Sequence, residues 1–359
     1  MNKIRILVVD DVAIVRRLVV DALSLDPDLQ VVGTAQNGRD ALEQIPTVKP
    51  DLLVLDYEMP EMDGLETLVE VRKSYPGVRV IIFSSHTRQG AKATLDALWY
   101  GADDYVTKTR ADSLAAATEC VRTELVPRIK AICAKGASEA ETAGPSKSIP
   151  LPARTITATH RVEVVAIGAS TGGPKALAEV IAGLPDGFQA PILIVQHMPP
   201  IFTRYLAERL AARTSLRCAE GTTGAVLEPG SIWVAPGDFH MTVKREGTEI
   251  QLRLTSDAAE NSCRPAVDPL FRSVAEVYGA GSLGVILTGM GQDGLQGCGK
   301  IRRAAGQIIV QDAATSVVWG MPGAVARAGL ADHVLPLEEI AGEIQRKVAM
   351  GNRRRSPVG

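Results

Sequence analysis

Three observations predict an α/β chain of two doubly wound parallel-sheet domains. Short continuous runs of Val, Ile and Leu alternate with helix-period segments in both halves, which marks strands buried on both faces. A stretch from Lys135 to Thr159, KGASEAETAGPSKSIPLPARTITAT, has the small, polar, proline-rich composition of a linker. The length of 359 residues suits two domains of roughly 100–200 residues.

In the first half the expected strands are IRILVVD, LQVVGTA, DLLVLDY, VRVIIFSS and ADDYVTK. In the second half they are VEVVAIGAS, APILIVQH, SIWVAP, LGVILTGMG and GQIIVQD. The segment DSLAAATECVRTELVPRIKAICAK is compatible with a helix that carries the first domain onward as a stalk. The expected division is a first domain over residues 1–122, a helical extension and linker over 123–159, a second domain over 160–349, and a solvated basic tail, GNRRRSPVG, over 350–359.

Hydrophobic residues make up 46% and charged residues 22% of the chain, which excludes a disordered, collagen-like or coiled-coil protein. No stretch approaches the roughly 20 apolar residues of a membrane span, and no signal-peptide pattern opens the chain. Five widely spaced cysteines without a CxxC fit reduced thiols and a cytoplasmic location better than a disulfide frame or a zinc site. The net charge of −2 and the absence of a basic stripe give no reason to expect nucleic acid. Residues 1–125 carry 14 Lys+Arg against 20 Asp+Glu, a balance of −6, and the remainder carry 25 against 21, a balance of +4. Opposite signs favour docking of the halves, weakened by salt screening over roughly 8–10 Å.

Ligands of doubly wound folds sit beyond the carboxyl ends of the strands, so the residues ending each run are the place to look. In the first half these are Asp10–Asp11, Asp56, Ser84–Ser85 and Lys108. Gathered at one edge, the carboxylates repel and call for a hard cation such as Mg²⁺. An aspartate beside such an ion and a lysine is a nucleophile toward a phosphoryl donor, and the Ser84 hydroxyl and Lys108 ammonium suit the new phosphoryl oxygens. Asp11 has a plainer alternative as the N-cap of VAIVRRLVV.

In the second half, Gly168-Ala-Ser170-Thr-Gly172-Gly173-Pro174 stands between a strand and the helical KALAEVIAGL. The glycine spacing is not GxGxxG. It is G-x-S-x-G, which places a serine hydroxyl on a strand-to-helix turn at the positive helix end. A plain glycine-rich turn is the competing reading. His197 ends the next strand, and Asp293 follows LGVILTGMGQ. Ser170 as nucleophile, His197 as base and Asp293 as its orienting carboxylate make an acyl-transfer site reasonable. Backbone N–H groups near Thr171 and Met290 suit the oxyanion. His240 is the strongest rival histidine; Asp238 and Asp268 are alternative carboxylates, and Asp293 alternatively caps the helix LQGCGKIRRAA. The order Ser…His…Asp differs from the Ser…Asp…His of common α/β-hydrolases, which points to a different fold with the same chemistry.

Two resemblances sharpen these readings. LVVDD, LDYEMPEMDG, FSS and DDYVTK over about residues 3–122 resemble the receiver domain of two-component response regulators. That resemblance implies Asp56 as phosphoacceptor, Mg²⁺ held by Asp11, Asp56 and the Glu58 carbonyl with Asp10 acting through water, Ser84 and Tyr105 as a switch pair, and Lys108 on the phosphoryl group. Thr109 departs from the pattern, standing where receivers usually carry proline.

GASTGGP, VQHMP, VAPGDFHM, SCRPAVDPLF and LTGMGQDG over about 160–349 resemble the catalytic domain of chemotaxis protein-glutamate methylesterases, the CheB family. This resemblance implies the triad Ser170, His197 and Asp293, with the Met290 amide in the oxyanion hole. It also implies demethylation of glutamate γ-methyl esters on chemoreceptors and, in many members, deamidation of receptor glutamines. The implied partners are methyl-accepting chemoreceptors and a chemotaxis histidine kinase, and phosphorylation of the receiver relieves its inhibition of the esterase. Arg264 lies in a family motif, with a salt bridge inside the fold as its expected role. The rival functions are a receptor-docking module without activity, a DNA-binding response regulator, and a hydrolase of another ester.

Overall fold

The computed structural model describes residues 3–85, 87–108, 114–134 and 161–349. Thr109, His86, His160, the stretch from Lys135 to Thr159 and the tail 350–359 lie outside the described residues. The chain divides into two compact units, Met1–Ser146 and Lys147–Gly359.

The first unit alternates β1 (Ile4–Val9), α1 (Ala13–Ser24), β2 (Leu29–Ala35), α2 (Gly38–Val48), β3 (Leu52–Asp56), α3 (Gly64–Ser74), β4 (Arg79–Ser85), α4 (Arg88–Trp99), β5 (Asp104–Lys108) and α5 (Leu114–Cys133). All five strands are parallel, in the order β2-β1-β3-β4-β5. Ile6, Leu7, Leu52, Leu53 and Leu55 are fully buried, as runs covered by helices on both faces must be. Local chemistry starts the helices where the sequence supplies a cap. Asn37 Oδ1 accepts from the Asp40 amide ahead of α2, Asp63 and Glu66 form a reciprocal capping box on α3, and Thr87 accepts from Gly90 ahead of α4. The strand order reverses between β1 and β3, which opens the crevice where ligands of such sheets bind.

Helix α5 packs on α1. Beyond residue 122 it buries Leu125, Val126, Ile129 and Ile132, and Lys130 pairs with Asp26 and Asp28. Residues 123–133 therefore form part of the first unit's core.

The second unit runs β6 (Val164–Ala169), α6 (Gly173–Ala182), β7 (Ile192–Gln196), α7 (Phe202–Ala211), β8 (Arg217–Glu220), β9 (Ser231–Val234), β10 (His240–Glu246), β11 (Glu249–Thr255), α8 (Val267–Tyr278), β12 (Ser282–Ile286), α9 (Leu295–Arg303), β13 (Gln307–Gln311), α10 (Met321–Arg327), β14 (His333–Leu335) and α11 (Leu337–Ala349). Seven of the strands form one parallel sheet, β14-β13-β12-β6-β7-β9-β8. The chain enters at the central β6, builds outward through β7, and crosses back to lay β12 on the other side of β6. The resulting switch point puts the ends of β6, β7 and β12 side by side. Strands β10 and β11 form a separate antiparallel hairpin, whose Met241, Val243 and Leu252 join the core with Phe271 and Val274 of α8.

Candidate functional site

Ser170 follows β6 directly. Its amide donates to the Thr288 carbonyl at 3.0 Å, and its own carbonyl accepts from the Gly173 amide at 2.7 Å and the Gln196 side-chain amide at 3.0 Å. Two glycines shape the surroundings of Ser170, one in its own turn and one in the loop after β12. Gly172 takes φ 76° at the N-cap of α6, a region costly for other residues. A Cβ on Gly289 would stand 2.8 Å from Ser170 Cβ, so only glycine lets the loop after β12 approach the serine.

His197 follows β7, with its amide donating to the Ala169 carbonyl at 3.2 Å. Ala169 pairs with Gln196 in the sheet, so the next residue of each strand, Ser170 and His197, meet across the switch point. His197 Nε2 lies 2.8 Å from Asp293 Oδ2. The Ser170 hydroxyl and the His197 ring are not hydrogen-bonded to each other in this structure.

Asp293 does not cap the helix after it: α9 begins at an N-cap glycine with no side-chain cap. Its carboxylate instead receives the N-terminus of α8. Val267 N donates to Oδ2 at 2.6 Å and Asp268 N to Oδ1 at 3.1 Å, while Gly294 N and Asn261 Nδ2 reach Oδ1 at 2.9 and 2.8 Å. Aligned helix amides hold an anion. Burial alone would raise the Asp293 pKa, but the His197 ring and the Val267 and Asp268 amides outweigh it and hold the group below the usual carboxylate range. Burial disfavours a charged His197, yet the Asp293 hydrogen bond, followed by the neighbouring Cys263 sulfur, raises its pKa to about 9.

The rival groups are otherwise engaged. His240 Nδ1 accepts from Ala266 N at 3.2 Å, and Nε2 lies 3.0 Å from the Ala258 carbonyl. Both ring nitrogens are thus occupied by backbone, with the proton on Nε2. Asp268 accepts from Gly297 N at 2.6 Å and from Asn261. Asp238 adopts φ 66° in the turn ahead of β10. Arg264 makes no salt bridge among the described residues, contrary to expectation. It donates to the Ser256 and Asp257 carbonyls at 3.0 Å each and so braces its own loop. Thr171 is buried, and its carbonyl accepts from Thr288 Oγ1 at 2.9 Å, while Met290, two residues after Thr288, is 40% exposed. Sequence reasoning assigned no role to Asn261 or Cys263 beside the dyad: Cys263 lies in the motif SCRPAVDPLF and Asn261 directly precedes it, but ENSCR has no strand-end signature.

In the first unit, Asp10 and Asp56 are buried at the ends of β1 and β3, and Asp11 is exposed beside them. Lys108 at the end of β5 reaches both buried carboxylates, with Nζ 2.8 Å from Asp10 Oδ2 and 2.7 Å from Asp56 Oδ2. Burial raises the Asp56 pKa to about 6, with Lys108 opposing and Asp10 assisting. Burial lowers the Lys108 pKa, but Asp56 and Asp10 outweigh it and raise it above the ordinary value. Carboxylate oxygens of Asp10, Asp11 and Asp56 lie within 4.8 Å of one another, a hard-oxygen set that fits Mg²⁺. Glu58 is exposed in the turn after β3. Ser84, one residue past the Asp56 partner Phe83, donates to the Gly90 carbonyl at 3.3 Å. Tyr105 is buried.

Among the described residues, no helix is long and apolar enough to cross a membrane. The CheB methylesterase family matches residues 165–344, and the response regulator receiver domain matches residues 6–119. The protein-glutamate methylesterase/protein-glutamine glutaminase of Trichodesmium erythraeum is 49% identical over 351 residues, 97% of this chain and 100% of its own. The protein of the same name from a Nocardioides species is 46% identical, over 100% of this chain and 99% of its own. The crystal structure of the Thermotoga maritima CheB methylesterase catalytic domain shares 42% identity and a TM-score of 0.51, covering 52% of this chain and 99% of that one. A serine turn and a His–Asp pair at the switch point of one sheet, an acidic pocket in the other, and likeness along nearly the full length lead to one conclusion: this chain belongs to the CheB methylesterase family, with a response regulator receiver domain ahead of the methylesterase domain.

Proposed function

We propose that the protein is a phosphorylation-activated serine esterase that hydrolyses glutamate γ-methyl esters on chemoreceptors and deamidates receptor glutamines; its relatives are named protein-glutamate methylesterase/protein-glutamine glutaminase. The observation that carries this reading is the His197–Asp293 hydrogen bond one strand from Ser170. With Nε2 engaged by Asp293, Nδ1 is the ring nitrogen left to act as base, and the Cys263 sulfur that also bonds the ring must give way to the serine hydroxyl. Ser170 Oγ attacks the ester carbonyl and its proton passes to His197. Amides of the Thr171 and Met290 loops stabilise the oxyanion. The ester C–O bond breaks, methanol leaves with the proton from His197, and an acyl-Ser170 remains. Water, deprotonated by the same imidazole, releases the glutamate and restores the serine. A glutamine substrate follows the same course with ammonia leaving.

In the receiver, the Asp56 carboxylate takes a phosphoryl group from the phosphohistidine of a chemotaxis kinase, and Lys108 pairs with the product. Asp10, Asp11, Asp56 and the Glu58 carbonyl would hold Mg²⁺, which when bound offsets the negative charge of the phosphoryl oxygens. Ser84 and Tyr105 report the change of state, and the phosphorylated receiver relieves inhibition of the esterase. The protein works in the cytoplasm.

The test is methanol release from methylated receptor by the full chain, with and without a phosphodonor. Ser170→Ala should release none in either condition. Release by Ser170→Ala at the rate of the unsubstituted protein overturns the reading.

A further inference from the structure

We propose that Asn261 is a positioning residue for the ester hydrolysis assigned above, an inference that rests on the Ser170–His197–Asp293 reading. Its side-chain amide bridges two buried carboxylates: Nδ2 donates to Asp293 Oδ1 at 2.8 Å and to Asp268 Oδ2 at 3.0 Å. Asp293 and Asp268 are 2% and 3% exposed, so their mutual repulsion is weakly screened by water. Of the donors on Asp293 other than His197, three are backbone amides fixed by α8 and by the turn at Gly294. Asn261 is the one side chain among them. It places a positive N–H edge between the carboxylates, so that both stay ionised and Asp293 keeps its oxygen on the His197 ring.

The backbone supports this role. Asn261 takes φ 52° and Ser262 φ 62°, in a short loop closed by reciprocal Glu260–Cys263 backbone hydrogen bonds. Asparagine tolerates the left-handed region better than most residues. The loop thereby turns the amide inward although the residue as a whole is exposed. Burial and the charge of Asp293 raise the Asp268 pKa, and the Gly297 amide first and the Asn261 hydrogen bond after it counter that rise.

The other ionisable groups around this cluster are His197 after β7, Cys263 and Glu260 in the same loop, Arg272 of α8, and Cys298 of α9. His240 faces it through Glu260. Arg272 is held bidentately by Glu260 at 2.6 and 2.8 Å, so it offers Asp293 no direct hydrogen bond. Removal of the Asn261 amide leaves more of the Asp293 charge acting on the imidazole, and a carboxylate in its place adds to that charge.

The experiment compares full-chain Asn261→Gly, Asn261→Asp and Ser170→Ala, activated by a phosphodonor, in methanol release from methylated receptor. Glycine accepts the left-handed backbone, so the loop keeps its course. Asn261→Gly should lower kcat about ten- to a hundredfold, the range for losing one hydrogen bond to a charged group, with KM within about twofold. Its acidic limb of kcat/KM should move to higher pH, and that of Asn261→Asp should move further. A kcat and pH profile matching the unsubstituted protein in folded Asn261→Gly overturns the proposal, as does a loss of thermal stability with kcat per folded molecule unchanged. Full activity in Ser170→Ala is a separate failure: it removes the triad reading on which the proposal stands.

Discussion

His197 Nε2 and Asp293 Oδ2 are 2.8 Å apart, in a setting where the carboxylate is 2% exposed and the ring 13%. In the proposed reaction that contact leaves Nδ1 as the base, and against burial, which opposes the charge, it and the Cys263 sulfur raise the ring pKa to about 9. Asp293→Asn should reduce kcat by about 10⁴, as loss of the orienting carboxylate does in other triads, with KM little changed. In the unsubstituted enzyme, kcat/KM should climb with pH as the imidazolium deprotonates, levelling above about 9. In Asp293→Asn that limb should fall toward the ordinary value of about 6.5. The sign for stability is the reverse of the sign for activity. A pKa raised on folding gives stability that is full below about 6.5 and is lost as pH rises through about 9. Methanol release and thermal unfolding across that pH range check both.

His240 and His197 should separate cleanly. His240 is tied to backbone at both ring nitrogens, so His240→Ala should cost about 1–3 kcal/mol through unsatisfied buried groups and leave kcat per folded molecule nearly unchanged. His197→Ala should abolish turnover with a smaller loss of stability. Denaturant titration beside single-temperature kinetics distinguishes the two.

Gly289→Ala puts a methyl group 2.5 Å from Met321 Sδ, which is the end of a flexible side chain, and 2.8 Å from Ser170 Cβ, which is not. The loop or the serine must yield, at about 1–3 kcal/mol of overpacking. Because the displaced atom carries the nucleophile, activity should fall far more than stability. Phosphonylation of Ser170 by a fluorophosphonate probe, with loss of fluoride and followed by mass, should slow in parallel with methanol release.

Asp56 must be ionised to accept a phosphoryl group, and burial raises its pKa to about 6. In the metal-free protein the ionised fraction of Asp56, followed by infrared absorption of the carboxylate, should therefore decline as pH drops through about 6. Lys108→Ala removes the cation shared with Asp10 and should move that decline to higher pH. Asp56→Ala should keep its basal methanol release and lose all stimulation by the phosphodonor. Chelation of Mg²⁺ should give the same pattern in the unsubstituted protein. Phosphate incorporation and methanol release, measured side by side, report these last two outcomes.

The parts of the fold that were legible were those written in continuous apolar runs. The ten expected strands are present because segments such as LLVLD and ILIVQ are buried on both faces and declare themselves by composition. Strand β8, Arg217–Glu220, has no apolar run and sits at the sheet edge with alternate residues exposed. Strand β14 is three residues long. The β10–β11 hairpin alternates polar and apolar residues, since only one of its faces meets the core. Strand ends located Ser170, His197 and Asp293, because parallel topology gathers such ends. The grip of α8 on Asp293 was not legible: it joins a helix start to a loop 26 residues further along the chain, and no local pattern encodes that meeting. Asn261 stayed hidden for the same reason.

Helix α5 carries a practical lesson for anyone dissecting this molecule. A receiver fragment cut at residue 122 would discard Leu125, Val126, Ile129 and Ile132, all of them sheltered from water, and would sever the clasp of Lys130 on Asp26 and Asp28. The bared flank of α1 would invite self-association, and an aggregating truncation would then pass for a signalling defect. A fragment extended past Cys133 keeps that flank clothed.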